Sequence, residues 1–313
     1  GHFSYAEEAG EELVTSLAEQ GITVVPDFYK ERGTKEGDST LRIYKIREKM
    51  NLVCLMEGAL PKNGEEIAID RLYAKNNSIK IGDVLTLSDK QYKVSGFVAL
   101  PDYAALFSDP SDMMFDSIKF GVAVMTEEGF TALGEGRQVY CYSWRYEKTP
   151  KDDIEAKAWS EELVPTLVQH GELTGMLPMY CNQAIQFPGD DMGKDRMMFT
   201  AFLYIVVIII AFIMGITTNN TIMKESMVIG TLRASGYTRG ELLRHYLAMP
   251  MAVILFSALV GNILGYTLFE GVVKEMYYIN YSLTTYETFG SPDAFLRTTI
   301  VPVLLMFFIN LRC

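Results

Sequence analysis

The sequence predicts a membrane protein in two parts: an α+β extracytoplasmic domain over residues 1–196, followed by an all-α transmembrane domain over 197–313. Three observations lead there. Residues 1–197 hold 21 Lys and Arg against 33 Asp and Glu, a net charge of −12, whereas the remaining 116 hold 7 against 6. No charged side chain occurs from Met197 to Met223 or from His245 to Phe269. Before Met197, stretches with strand alternation interleave irregularly with amphipathic ones, which favours α+β over a doubly wound sheet.

Residues 5–20, YAEEAGEELVTSLAEQ, read as an amphipathic helix with Leu13 and Leu17 four apart and Gly21 as its stop. ITVVPDF then predicts a strand. Residues 65–103 predict a short strand, a helical turn and, after Gly82-Asp83, two strands joined by a hairpin near Ser88 to Lys90. Alternation at Val84 and Thr86, and at Tyr92 and Val94, points to a half-buried antiparallel sheet. IKFGVAVMT (118–126) and QVYCYSWRYE (138–147) predict further strands, with a helix from about Glu127. Pro150, with Asp152, Asp153 and Glu155 in the first turns, opens a helix running to about His170. Residues 171–196 hold four glycines and two prolines and predict a junction before the membrane, packed or hinged.

The apolar run FTAFLYIVVIIIAFIMGI places a first span at about 198–220, long enough for a hydrocarbon core of about 30 Å. A second, at about 245–269, contains Pro250 and Asn262, which a bundle tolerates. A third is expected at about 294–311. Its apolar part from Thr298 rises only about 21 Å before the chain stops. With no initial Met, the sequence is expected to be a fragment of a longer protein, and its polar first thirty residues hold no signal-peptide core. Between the first two spans Lys224, Arg233, Arg239 and Arg244 outnumber Glu225 and Glu241, so this loop is expected inside and residues 1–196 outside. Arg312 then falls inside, and Tyr277, Tyr278, Tyr281 and Tyr286 at the outer interface.

Little in the sequence speaks for catalysis. There is no HExxH, GxSxG, Gly-rich phosphate loop or CxxC pair among its residues. No catalytic residue, metal site or cofactor is expected. His170 beside Gly171 suits a helix C-terminus, His245 a membrane boundary, and the pairs Asp152-Asp153 and Asp190-Asp191 read as solvated. Cys54, Cys141, Cys181 and Cys313 are too scattered for a disulfide framework or a zinc site and are expected as free thiols, the alternative being one bridge among Cys54, Cys141 and Cys181. An acidic exterior argues against a nucleic-acid partner.

The loop between the first two spans carries more information. Residues 221–236 predict a moderately amphipathic helix with Ile222, Val228, Ile229 and Leu232 on one arc, ended by Gly236. Thr238-Arg239-Gly240-Glu241 then fits a capping box that starts the next helix. By itself this is an interfacial loop helix or a docking element for a cytosolic protein. The stretch KESMVIGTLRASGYTRGELLRHY resembles the FtsX-like permease domain of the MacB class of ABC transporters. That family's pattern is an acidic residue, then IGxLRAxGxxxxxI, then a long apolar span with glycines. Glu225, Ile229, Gly230, Leu232, Arg233, Ala234 and Gly236 match it, with Leu242 or Leu243 at the aliphatic position. Upstream, GDVLTLSDKQYKVSGFVALPDY is similar to the periplasmic core domain of the same class.

The resemblance implies a bacterial cell-membrane permease subunit with a further span upstream. A separate ABC ATPase would dock under the coupling helix, and ATP-driven motion would be passed to the external domain for export or mechanotransmission. It also implies a second permease copy or a second FtsX repeat, and a protein, peptide or lipid ligand outside the cell. Gly261 and Gly265 form a GxxxG face for helix packing, within the subunit or between two. Asn219, Asn220 and Asn262 are expected to bond between helices, the alternative being that they line a substrate path. The competing expectations are a signalling complex that senses peptides or controls cell-wall enzymes, and a membrane-anchored scaffold without an ATPase.

Overall fold

The computed structural model describes residues 1–35, 38–134 and 138–312. The chain divides into a unit of residues 1–190 with 276–286, and a unit of 191–275 with 287–313. Cys313 and the side chain of Arg312 lie outside the described residues.

The first unit begins with β1 (His2–Tyr5), α1 (Glu11–Glu19), β2 (Ile22–Pro26), β3 (Tyr29–Thr34), β4 (Ser39–Lys45) and β5 (Cys54–Gly58). It continues through β6 (Glu66–Asp70), α2 (Arg71–Asn76), β7 (Val84–Leu87), β8 (Lys90–Ala99), β9 (Phe120–Met125) and α3 (Glu127–Ala132). β10 (Gln138–Tyr146), α4 (Asp153–Gln169), β11 (Leu173–Leu177) and the start of α5 (Gln183–Lys224) complete it. The strands join in the order β11-β1-β10-β3-β4-β9-β6-β8-β5, with β2 on β10 and β7 bridging β3 and β8. Parallel pairs β4–β9 and β6–β8 sit among antiparallel ones, so the sheet is mixed.

Two cores follow from side-chain alternation. β9 is buried on both faces and reads as a continuous apolar run, FGVAVM. Around it Leu41, Ile43, Ile67, Ile69, Leu72 and Val94 are sealed from water, each side chain contributing roughly 1.5–3 kcal/mol. A second core lies where α1 and α4 cover β1, β2 and β10: Leu13, Leu17, Leu163 and Leu167 pack on Phe3, Tyr142 and Trp144. β10 serves both, since Gln138–Val139 pair with β3 while Tyr140–Tyr146 pair with β1 and β2.

The expected strand at 118–126, the helix from Glu127, the strand at 138–147 and the helix ending at His170 are all present. So is the 88–90 hairpin, where Ser88 (φ 48°) and Asp89 (φ 71°) make the turn that matches strand twist. Three differences have physical causes. The helix expected from residue 5 starts only at Glu11: Tyr5 ends a strand, because Phe3 and Tyr5 both enter the second core, and Gly10 precedes the first helical turn. In β7 the buried face is Leu85 and Leu87, not Val84 and Thr86, because Leu85 stands opposite Tyr92 across the hairpin. The expected junction is built: β11 pairs with β1, and α5 starts at Gln183. Pro188 does not stop α5, since the Ala184 carbonyl that it leaves without a helical donor accepts instead from the Ala105 amide at 2.9 Å.

In the second unit, α5 reaches Lys224 and is followed by α6 (Ser226–Ala234) and α7 (Arg239–Leu264). Through a wider turn at Gly265–Phe269 the chain enters α8 (Glu270–Asn280), then α9 (Pro292–Phe295), a second such turn and α10 (Val301–Arg312). The 221–236 helix is thus two pieces, broken at Glu225: the first turn prolongs α5 and the rest is α6. Among the described residues three helices are long and apolar enough to cross a membrane, at Gln183–Lys224, Arg239–Asn280 and Pro292–Leu311. They meet at Ala211, Ile254 and Met306, while Phe212, Leu255, Phe256 and Phe308 stay more than half exposed. Faces of this kind suit a lipid solvent and not water. Asn262 donates to Thr299 Oγ1 at 2.8 Å, a bond between helices, whereas Asn219 and Asn220 are exposed.

Candidate functional site

Local chemistry builds the corner between α5 and α7. Gly236, at φ +101°, takes the conformation that side-chain-bearing residues avoid. Its N–H donates to the Arg233 carbonyl and that of Tyr237 to the Leu232 carbonyl, both at 3.1 Å, the double bond pattern of a glycine-terminated helix. Thr238 Oγ1 accepts from the Glu241 N–H while Glu241 accepts from the Thr238 N–H, so the capping box is complete. At the other end, Glu225 accepts from the Tyr246 hydroxyl at 2.6 Å, tying the break before α6 to α7. On α6, Ile229 and Leu232 are half-buried; Gly230, Arg233, Ala234 and Gly236 are exposed. A Cβ added at Gly230 meets nothing within 4 Å, and the same holds at Gly261 and Gly265.

In the first unit, the N-terminus of α2 holds the segment 276–286. Asp70 is fully buried and caps α2, accepting from the amides of Leu72 (2.8 Å) and Tyr73 (3.1 Å), and it also accepts from the Ser282 hydroxyl. Burial pushes its carboxyl up to about 6 against the lowering effect of these bonds. Arg71 donates to the carbonyls of Tyr278 (3.0 Å), Tyr281 and Leu283 (3.3 Å), and its guanidinium lies 4.4 Å from the centre of the Tyr278 ring. The Ser282 amide donates to the Ala104 carbonyl at 2.8 Å, and Tyr281 packs among Phe115, Phe187 and Tyr277.

The same unit holds a buried charge cluster. Arg47 bridges Asp27 (2.8 Å) and Asp102 (2.6 Å), with all three side chains at most 7% exposed. His2 completes the group: one donor atom each from His2, Asp27 and Asp102 lies within 4.8 Å of the others. It is a poor metal cage, because the Arg47 guanidinium already occupies one oxygen of each carboxylate. Burial alone would raise the Asp102 carboxyl, but Arg47 overrides it and holds the group below the usual carboxylate range. Nothing in the sequence flags this cluster. Its members come from four separate stretches, and Asp102 sits in an unremarkable LPDY turn.

His170 caps α4 with its Nδ1 2.8 Å from the Thr166 carbonyl, and Asp152 caps the other end by accepting from Glu155 N–H at 2.9 Å. Cys54, Cys141 and Cys181 are free; burial pushes the Cys141 thiol up to about 12, so it is inert.

An α+β unit joined to apolar helices of spanning length is the build of a membrane protein. Residues 200–311, the stretch that contains the α6 corner, match the model of the FtsX-like permease C-terminal family. That stretch is similar to FtsX-like permeases, a family that is in general a non-catalytic transporter component. No curated protein matches the chain. Among solved structures, the chain is similar to the periplasmic region of MacB from Actinobacillus actinomycetemcomitans: 13% identity, 59% of this chain and 92% of that one, TM-score 0.33. It is also similar to the extracellular domain of the noncanonic ABC-type transporter YknZ from Gram-positive bacteria, with 10% identity, 56% and 100% coverage and TM-score 0.32.

Proposed function

We propose that this chain is the permease subunit of an ABC transporter in a bacterial cell membrane, in which α6 receives the push of a separate ATPase and passes it to the α+β unit. The observation that carries the reading is the corner itself. A short helix, exposed at Gly230, Arg233 and Ala234, is fixed at one end by the Gly236 turn and at the other by Glu225 on Tyr246. A partner that presses on such an element moves the flanking spans, because both ends are hydrogen-bonded and neither is a loose loop. Ile229 and Leu232 hold the inner face, and the small residues let a second protein approach closely. At the far end, Asp70 and Arg71 grip the last turn of α8 and the residues that follow it, which gives motion there a route into the α+β unit. Gly261 and Gly265 would seat a second permease copy.

The test uses the full-length protein with its ATPase. Gly230→Trp adds bulk where nothing stands within 4 Å, and Leu232→Asp alters the inner face. Both are expected to reduce ATPase co-purification and stimulated ATP hydrolysis. Unchanged recruitment and hydrolysis in Gly230→Trp would end the coupling role.

A further inference from the structure

Beside the charge cluster the first unit holds a cavity of about 390 Å³, lined among others by His2, Asp102, Tyr29, Tyr103, Phe107 and Met176. The hydrogen bonds around Ser143 fix what its polar end presents. The Ser143 hydroxyl has one proton, which goes to Asp27 Oδ2 at 2.9 Å, since a carboxylate can only accept. Ser143 Oγ therefore accepts from Asn51 (3.3 Å) and from His2 Nδ1 (3.1 Å). With the proton on Nδ1 and the ring kept neutral by burial, which outweighs Asp102, His2 Nε2 carries a lone pair. That lone pair faces Asp102 Oδ2 at 3.7 Å. Asp102 is 2% exposed, yet its Oδ2 accepts no hydrogen bond. Two acceptors thus face each other in a buried site with no donor between them, a costly arrangement unless something brings protons.

The charges say which kind of donor suits. Arg42, also on the cavity wall, is spent on Glu31 (2.6 Å), the Tyr103 hydroxyl (2.7 Å) and the Ser108 carbonyl (2.7 Å). Among Asp27, Arg47 and Asp102, Arg47 offsets one carboxylate, which leaves one negative charge within those three. We infer that the cavity binds a primary ammonium group on an apolar or aromatic stem, the ammonium donating to Asp102 Oδ2 and His2 Nε2 and the stem lying against Tyr103, Phe107 and Met176. A lysine side chain and the terminal amine of a peptide share this chemistry. A divalent cation does not fit, because Arg47 lies 2.6 Å from Asp102 and only two donor atoms have lone pairs to spare. The inference does not rest on coupling to an ATPase.

The experiment titrates the full-length protein in nanodiscs, with 13C-labelled Met methyl groups, with 4-phenylbutylammonium and with its uncharged counterpart 4-phenylbutanol. The Met176 methyl signal, assigned through Met176→Leu, is expected to shift saturably with the amine, and the alcohol to bind at least tenfold more weakly. Nα-acetyl-lysine amide and phenylalanine amide then separate a side-chain from a terminal source. Asp102→Asn, if it folds, is expected to remove the preference for the amine. If it does not fold, the amine and alcohol comparison on the unaltered protein decides alone. Equal binding of both probes, or no shift at Met176 with either, would overturn the assignment, whatever the ATPase experiments show.

Discussion

Replacing Arg71 by Ala is expected to release the segment 278–283 without unfolding the α+β unit. Its guanidinium donates to three backbone carbonyls, those of Tyr278, Tyr281 and Leu283. Each such charge-assisted bond is worth about 1.5–3 kcal/mol when buried, but Arg71 is only half-buried, so its carbonyls regain water on loss. About 1 kcal/mol apiece gives ~3 kcal/mol, or roughly a 100-fold rise in local opening. The reporter is hydrogen exchange at the Ser282 amide, which is bonded to the Ala104 carbonyl. Its exchange is expected to quicken about 100-fold while the amides of β9 keep their protection. Arg71→Lys, a point charge that reaches fewer carbonyls at once, falls between. Unchanged protection at Ser282 would refute the clamp, and so would an even loss across β4, β6 and β9.

Asp70 gives the clamp a pH dependence. Its carboxyl is raised to about 6 in the folded state, so the folded protein binds the extra proton; this stabilisation is fully present below the unfolded value near 4 and is lost as pH rises through 6. Thermal melts at pH 7 and pH 5 are expected to show the native chain gaining on the order of 1 kcal/mol at the lower pH relative to Asp70→Asn. Gly96→Ala puts a Cβ 2.5 Å from the Ala59 carbonyl oxygen and 2.7 Å from that of Glu57, backbone atoms that cannot swing away. About 2–3 kcal/mol of stability should go, visible in the same melts, while Gly193→Ala in α5, with nothing within 4 Å, is expected to be neutral or to gain up to ~1 kcal/mol. Gly236→Ala is expected to cost on the order of 1–2 kcal/mol locally and to expose the Tyr237 amide to exchange.

The parts of the fold legible from sequence are those where local pattern and tertiary burial agree. β9 is apolar at every position, α4 has an acidic cap at its start, and the α6 corner is written in a glycine followed by a capping box. β3 was hidden because its buried side is polar: Lys30, Arg32 and Thr34 point inward and Glu31 and Gly33 outward, the reverse of the usual alternation. Lys30 and Arg32 are tolerable there because they donate to the carbonyls of Phe130 (3.2 Å) and Leu133 (3.3 Å). The clamp and the charge cluster were hidden for another reason. Asp70 and Ser282 stand 212 residues apart, and Arg47 and Asp102 stand 55 apart. Only the completed sheet brings such pairs together, and no local spacing announces them.

Pro188 has a consequence of its own. An ordinary residue there would offer an amide to the Ala184 carbonyl and compete with Ala105 for it. Proline has no amide to offer, so the carbonyl stays free for the loop. The stitch joins main chain to main chain, and among substitutions at 105 or 184 only proline at 105 takes away one of its partners. The residue that looks most like a helix breaker thereby keeps the root of α5 fastened to the loop after β8.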